Sequence, residues 1–189
     1  MHKVLIVVDM QNDFVTGSLG SETAQAIIPN VEKKILEYLK SEREDEVYFT
    51  RDSHATDYLS TKEGEKLPVE HCIYGSHGWQ IIPELKQYGE LADEIVNKDS
   101  FGYSCWEDEL GREERIESIE LIGVCTDICV VSNALILKAL YPEVEIIVDA
   151  SCCAGTTPEA HQAALRVMQS CQITVIGEEF YVEMGKHNH

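Results

Sequence analysis

The sequence predicts the α/β class, a mostly parallel sheet covered by helices on both faces, and three observations carry that prediction. Val4 to Val8 is an unbroken apolar run ending in Asp9, which suits a strand buried on both faces. Strand-like and helix-like segments then alternate as far as Ile176, at lengths that fit parallel strands joined by crossover helices. Thr156-Thr157-Pro158-Glu159 carries the hydroxyl cap, early proline and early acid of a helix start.

Each element follows from its own pattern. Ile27, Val31, Ile35, Leu36 and Leu39 recur at helical spacing and give a helix ending near Lys40. Glu46 to Thr50 reads as the second strand, Ile81 to Tyr88 as a short helix and Glu94 to Asn97 as the third strand. Ser118 to Val124 is a fourth strand, and Cys129 to Leu140 a strongly apolar helix. Glu145 to Asp149 is the fifth strand, a helix runs from the Thr157 region to about Ser170, and Gln172 to Ile176 closes the series. Residues 52–80 are polar and broken by Gly and Pro, and a connection of that length is usually functional. The chain reads as one domain, residues 1–189, with a flexible tail after about residue 183.

Composition narrows the function. A formal net charge of −19 argues against nucleic-acid or anionic-membrane partners, which need a basic surface. No run approaches the ~18 apolar residues of a membrane span, and the N-terminus lacks the pattern of a signal peptide, so the expected location is cytoplasmic. Seven scattered cysteines without a Cys-x-x-Cys pair fit a reduced chain better than a disulfide framework.

Three predicted strands lead into a chemically capable side chain: Asp9, Lys98 and Cys129. In an open parallel sheet such ends converge on one edge. A carboxylate beside a thiol can take its proton, and a lysine beside both holds negative charge in place. Cys129 is expected on the first turn of a helix, where the helix dipole favours a thiolate. A second group is Asp52-Ser53-His54 with His71. Residues i and i+2 of an extended segment project to one side, so Asp52 and His54 can grip one ion and His71 can close the set. Carboxylate and imidazole together suit Zn, Fe or Mn and leave positions open. Glu63 or Asp57 can supply a further oxygen. Phe14 can stack on a flat ring, with Trp79 and Tyr103 as further pocket candidates.

Three stretches resemble the isochorismatase-like cysteine hydrolases. Val8-Asp9-Met10-Gln11-Asn12-Asp13-Phe14 is similar to their opening motif, Thr50-Arg51-Asp52-Ser53-His54 to their second, and Gly123-Val124-Cys125-Thr126-Asp127-Ile128-Cys129-Val130 to their nucleophile motif. The resemblance implies a Rossmann-like, three-layer αβα sandwich on a six-stranded sheet, with Asp9, Lys98 and Cys129 as catalytic triad. Asp52, His54 and His71 match the metal ligands of the nicotinamidase/pyrazinamidase branch, with Glu63 the choice for a fourth and Asp57 in reserve. It further implies one divalent metal ion, a cis peptide between Val124 and Cys125, and an oxyanion hole from the N–H groups of Cys125 and Cys129. The expected activity is hydrolysis of nicotinamide, or a related small aromatic amide, to the acid and ammonia in pyridine nucleotide salvage. The expected assembly is a homo-oligomer. The rival expectations are a metal-poor isochorismatase-like hydrolase acting on another small amide or vinyl ether, a thiol redox protein using Cys125 and Cys129, and a non-catalytic scaffold.

Overall fold

The computed structural model describes residues 1–178, so the tail expected to be flexible lies outside the described residues. The strands are β1 (His2–Val8), β2 (Glu46–Asp52), β3 (Glu94–Lys98), β4 (Ile116–Val124), β5 (Glu145–Ala154) and β6 (Thr174–Ile176). The helices are α1 (Asn12–Val15), α2 (Glu22–Ala26), α3 (Ile28–Leu39), α4 (Lys62–Lys66), α5 (Lys86–Gly89), α6 (Trp106–Leu110), α7 (Val131–Leu140) and α8 (Pro158–Ser170). The sheet order is β3-β2-β1-β4-β5-β6, and every pairing is parallel. The chain winds outward from β1 in one direction and from β4 in the other. Their shared boundary is therefore the place where strand ends open a crevice.

Alternation along β1 divides the interior. Val4, Ile6 and Val8 join one apolar cluster with Ala134 and Leu137 of α7 and Leu165 and Met168 of α8. Leu5 and Val7 join another with Val31 and Ile35 of α3 and Phe49 of β2. All five β1 side chains from Val4 to Val8 have no exposed surface, as an unbroken apolar run in a doubly covered strand requires. Gly123 has φ +114°, and a Cβ there would overlap the Val8 carbonyl oxygen, so β1 and β4 approach this closely only because the residue is glycine.

Three expected elements are corrected. Ile81 to Tyr88 is not one helix: the Ile82 N–H donates to the Met10 carbonyl (3.0 Å), Gln11 bridges Ile81, and only Lys86–Gly89 is helical, beyond Pro83. β5 runs on to Ala154, because Cys153 and Ala154 pair with Gly123 and Val124 after a register irregularity. The Cys129 segment begins with a π-helical turn, Thr126–Val130, with α7 starting after it. Among the described residues no helix is long and apolar enough to cross a membrane.

Candidate active site

The carboxyl ends of β1, β2, β3 and β4 place Asp9, Asp52, Lys98 and the Cys125–Cys129 turn together. Asp9 follows β1 in a left-handed conformation, φ +48°. The Thr50 hydroxyl donates to its Oδ1 (2.6 Å) and accepts from its N–H (3.1 Å), which fixes the carboxylate's orientation. Its Oδ2 lies 2.6 Å from Lys98 Nζ. The same ammonium is 3.6 Å from Cys129 Sγ, 3.6 Å from Asp52 Oδ1 and 3.2 Å from the Ser100 carbonyl. Asp9, Lys98 and Cys129 are 0, 2 and 5 % exposed.

This burial sets the protonation states. Burial raises the Asp9 pKa and outweighs the opposing charge of Lys98. Burial also works against the Lys98 ammonium, but the charges of Asp9, Cys129 and Asp52 prevail and lift its pKa. Burial and then the Asp9 charge push the Cys129 thiol well up, with Lys98 opposing. Burial and the Asp9 charge therefore favour the neutral Cys129 thiol, against the pull that a helix dipole exerts towards the thiolate, while Lys98 Nζ stays within ion-pair distance of Asp9. An Asp9 with raised pKa is a better proton acceptor than an ordinary carboxylate.

The Cys125–Cys129 turn has two further ties. The Val124–Cys125 peptide is cis, and Cys125 O accepts from the N–H of Ile128 and Val130, each at 3.1 Å. Asn133, fully buried on α7, donates to the carbonyls of Cys129 (2.8 Å) and Phe101 (3.2 Å).

Asp52, His54 and His71 bring one donor atom each to within 4.8 Å of one another, all buried. His54 Nε2 is 2.9 Å and His71 Nε2 3.5 Å from Asp52 Oδ2. The Nδ1 of His71 is engaged by the Val69 carbonyl at 2.8 Å, so its Nε2 faces the group. Burial opposes the Asp52 charge, but hydrogen bonds from both histidines and the charge of Lys98 keep its pKa well below the usual range. A carboxylate and two imidazoles converging in this way fit a divalent metal ion. Glu63 Oε1 lies 3.8 Å from both His54 Nε2 and His71 Nε2. Asp57, the reserve ligand, is exposed at the start of a short 3₁₀ turn and does not join the group.

The long connection is held against the site by residues to which the sequence reading gave no individual role. Gln11 Nε2 donates to the carbonyls of Asp52 and Trp79, both at 2.9 Å, and its Oε1 accepts from the Asp52 N–H at 2.8 Å. Asn12 Nδ2 donates to the His77 carbonyl (2.8 Å), and Asp13 Oδ2 accepts from the N–H of Cys72, next to His71 (2.8 Å). The available signal was three consecutive polar residues at the end of a buried strand.

A cavity of about 370 Å³ lies over both groups. Cys129 and Cys125 border it with Asp52, His71 and Glu63, and its apolar walls come from Phe14, Leu19, Leu67, Phe101 and Ile128. Phe14 borders the cavity, 5.5 Å from the His71 ring. Trp79 and Tyr103 do not line the cavity. The Trp79 indole N–H donates to Ser53 Oγ (2.7 Å) while Arg51 lies 3.7 Å over its ring, which holds it outside. Tyr103 packs on Trp106 at 5.2 Å and donates its hydroxyl to Glu109 (3.0 Å). Phe101, 43 % exposed, takes the mouth position instead.

A family model for the isochorismatase domain matches residues 3–179. The chain belongs to the isochorismatase family. Among its relatives, the nicotinamidase of Schizosaccharomyces pombe is 28 % identical, covering 94 % of this chain and 94 % of that one. A crystal structure of the pyrazinamidase/nicotinamidase from Streptococcus mutans UA159 superposes with a TM-score of 0.80 at 30 % identity, covering 92 % of this chain and 99 % of that one. The pyrazinamidase of Pyrococcus horikoshii, solved in complex with zinc, gives a TM-score of 0.76 at 26 % identity, with 93 % and 99 % covered. These isochorismatase-family likenesses span almost the whole chain, so they take in both side-chain groups.

Proposed function

We propose that the chain is a metal-assisted cysteine amidohydrolase that converts nicotinamide to nicotinate and ammonia, in the cytoplasm, as a step of pyridine nucleotide salvage. The observation that carries this reading is the placing of Asp9, Lys98 and Cys129 beside Asp52, His54 and His71 under one mostly apolar cavity. Hydrolysis at an amide C–N bond is what the matching nicotinamidases and pyrazinamidases have in common.

The chemistry follows from the resting state. Asp9 accepts the Cys129 thiol proton as sulfur attacks the amide carbon, and Lys98 balances the negative charge that remains in a buried site. The carbonyl oxygen becomes an oxyanion, met by the N–H groups of Cys125 and Cys129. The C–N bond breaks, Asp9 returns the proton to the leaving nitrogen as ammonia departs, and the acyl group stays on sulfur as a thioester. Asp9 then takes a proton from water, hydroxide adds to the thioester, and nicotinate leaves as Cys129 regains its proton. Asp52, His54 and His71, with Glu63 beside them, would hold a divalent ion, which supplies Lewis acidity and a docking point for a ring nitrogen. Phe14 and Phe101 flank the space for a flat ring.

The test is ammonia release by the metal-loaded protein from nicotinamide and from benzamide, which lacks the ring nitrogen. The expected result is turnover of nicotinamide at least about 100-fold faster in kcat/KM, a difference of about 2.7 kcal/mol. Equal rates would remove the metal's role in docking, and no release from either would remove the amidohydrolase assignment.

A further inference from the structure

Behind the nucleophile turn, α8 makes a set of contacts that the chemistry above leaves unused. Thr126, the residue after Cys125, and His161, in the first turns of α8, share a hydrogen bond between Oγ1 and Nδ1 at 2.8 Å. Neither side chain has any exposed surface. The next residue, Asp127, accepts from the Thr156 N–H (2.8 Å) and hydroxyl (2.6 Å). Gly155 lets the two segments meet: a Cβ there would lie 2.8 Å from Asp127 Oδ1 and 2.8 Å from His161 Cβ. The start of α8 is itself firmly set. Pro158 occupies the first turn, Thr157 Oγ1 caps the Ala160 N–H at 3.1 Å, and the His161 N–H donates to the Thr157 carbonyl at 2.9 Å.

A hydrogen-bonded polar pair wholly out of water gains little stability over an apolar pair of the same shape, but it fixes a direction that an apolar pair does not. Burial lowers the His161 pKa to about 4, with Asp127 opposing, so at neutral pH the ring acts through its hydrogen bond and not through charge. The bond lands one residue beyond the Cys125 N–H and three before Cys129, the two donors assigned to the oxyanion.

We propose that His161 is a positioning residue: through Thr126 it fixes the turn that presents the Cys125 and Cys129 N–H groups to the transition state. The inference rests on the reading of Cys129 as nucleophile and adds to it the helix that sets the donors' position. Donor placement matters in the transition state more than in substrate binding, so its loss falls on kcat.

The experiment compares His161→Leu, His161→Asn, Thr126→Val and Thr126→Ser in the full chain, with nicotinamide kinetics and a melting curve for each. His161→Leu and Thr126→Val should each lower kcat about 10- to 100-fold and leave KM within about threefold. His161→Asn, which keeps a polar atom near the Nδ1 position, and Thr126→Ser should recover most of that loss. The double variant His161→Leu/Thr126→Val should be no slower than the worse single one, because both remove the same bond. Thr126→Val keeps the residue's shape and decides the matter should His161→Leu not fold. A kcat within about twofold of the parent in Thr126→Val, additive losses in the double variant, or loss without rescue by Asn and Ser would overturn the proposal. All variants are also assayed with p-nitrophenyl acetate, an activated ester whose attack by a thiol needs the same oxyanion donors. Failure of the parent on nicotinamide alone then counts against the substrate, and unchanged ester turnover in Thr126→Val counts against the role of His161.

Discussion

Lys98→Met tests how the buried charges depend on one another. Lys98 is 2 % exposed, and its ammonium lies 2.6 Å from Asp9 and 3.6 Å from Asp52. Without it Asp52 keeps both histidines, at 2.9 and 3.5 Å, whereas Asp9, with no exposed surface, loses the cation that balances it. Leaving a buried charge unpaired costs about 3–5 kcal/mol. Proton uptake caps the cost: neutralising a carboxyl of ordinary pKa ~3.9 at pH 7 takes about 4 kcal/mol, at about 1.4 kcal/mol per pH unit. The variant should therefore lose at most about 4 kcal/mol at pH 7 and at most about 1.5 kcal/mol at pH 5, because the raised Asp9 pKa already carries part of this cost in the parent. The sign follows from linkage. The folded variant holds a proton on Asp9 that the unfolded chain releases above its own pKa, so folding weakens as pH rises through this window. Urea unfolding of both proteins at equal metal loading, followed by the fluorescence of Trp79 and Trp106, measures the gap. A gap that does not change between pH 5 and 7, or one below about 1 kcal/mol, would refute the charge balance drawn here.

Three further outcomes follow from the same geometry. Cys129→Ala should abolish ammonia release while leaving the melting temperature within a few degrees of the parent, since it removes a nucleophile and little packing; residual turnover above about 1 % would displace Cys129 from its role. Glu63→Gln should weaken metal affinity about 10- to 100-fold, read by competition with a chelator, because the carboxylate lies 3.8 Å from both imidazole nitrogens; unchanged affinity would place Glu63 outside the metal group. Phe101→Ala should raise KM about 10-fold by removing an aromatic wall at the cavity mouth, whereas Tyr103→Phe, which alters only a contact to Glu109, should leave kcat/KM within about twofold; the reverse order would restore Tyr103 to the pocket.

The sequence made the strand ends readable because they combine two independent signals. Val4 to Val8 had to be a buried strand, and the polar residue following such a run, Asp9, had to sit at the sheet's edge. The same logic placed Lys98 and the Cys129 turn, and parallel connections then brought all three to one crevice. Asp52 and His54 were readable from extended spacing. Side-chain direction within irregular segments was not readable. Trp79 and Tyr103 have the composition of pocket residues, but hydrogen bonds to Ser53 and Glu109 turn them away. Leu19, Leu67 and Phe101 line the cavity from loops and loop ends, where no periodicity marks a face. Ile81 to Tyr88 reads as a short helix, yet a bond between Ile82 N–H and Met10 C=O, over 70 residues apart in sequence, decides otherwise. Such non-local pairing overrides local pattern and leaves no mark in a single sequence.

In the proposed reaction the amide carbon becomes bonded to Cys129 during turnover. Mass analysis of the Cys129 peptide, after quenching the metal-loaded protein in acid during nicotinamide turnover, tests it most directly. The expected result is a nicotinoyl group on Cys129 that disappears once substrate is exhausted. Ammonia release with no acyl group on Cys129, or with the group on another residue, would contradict it.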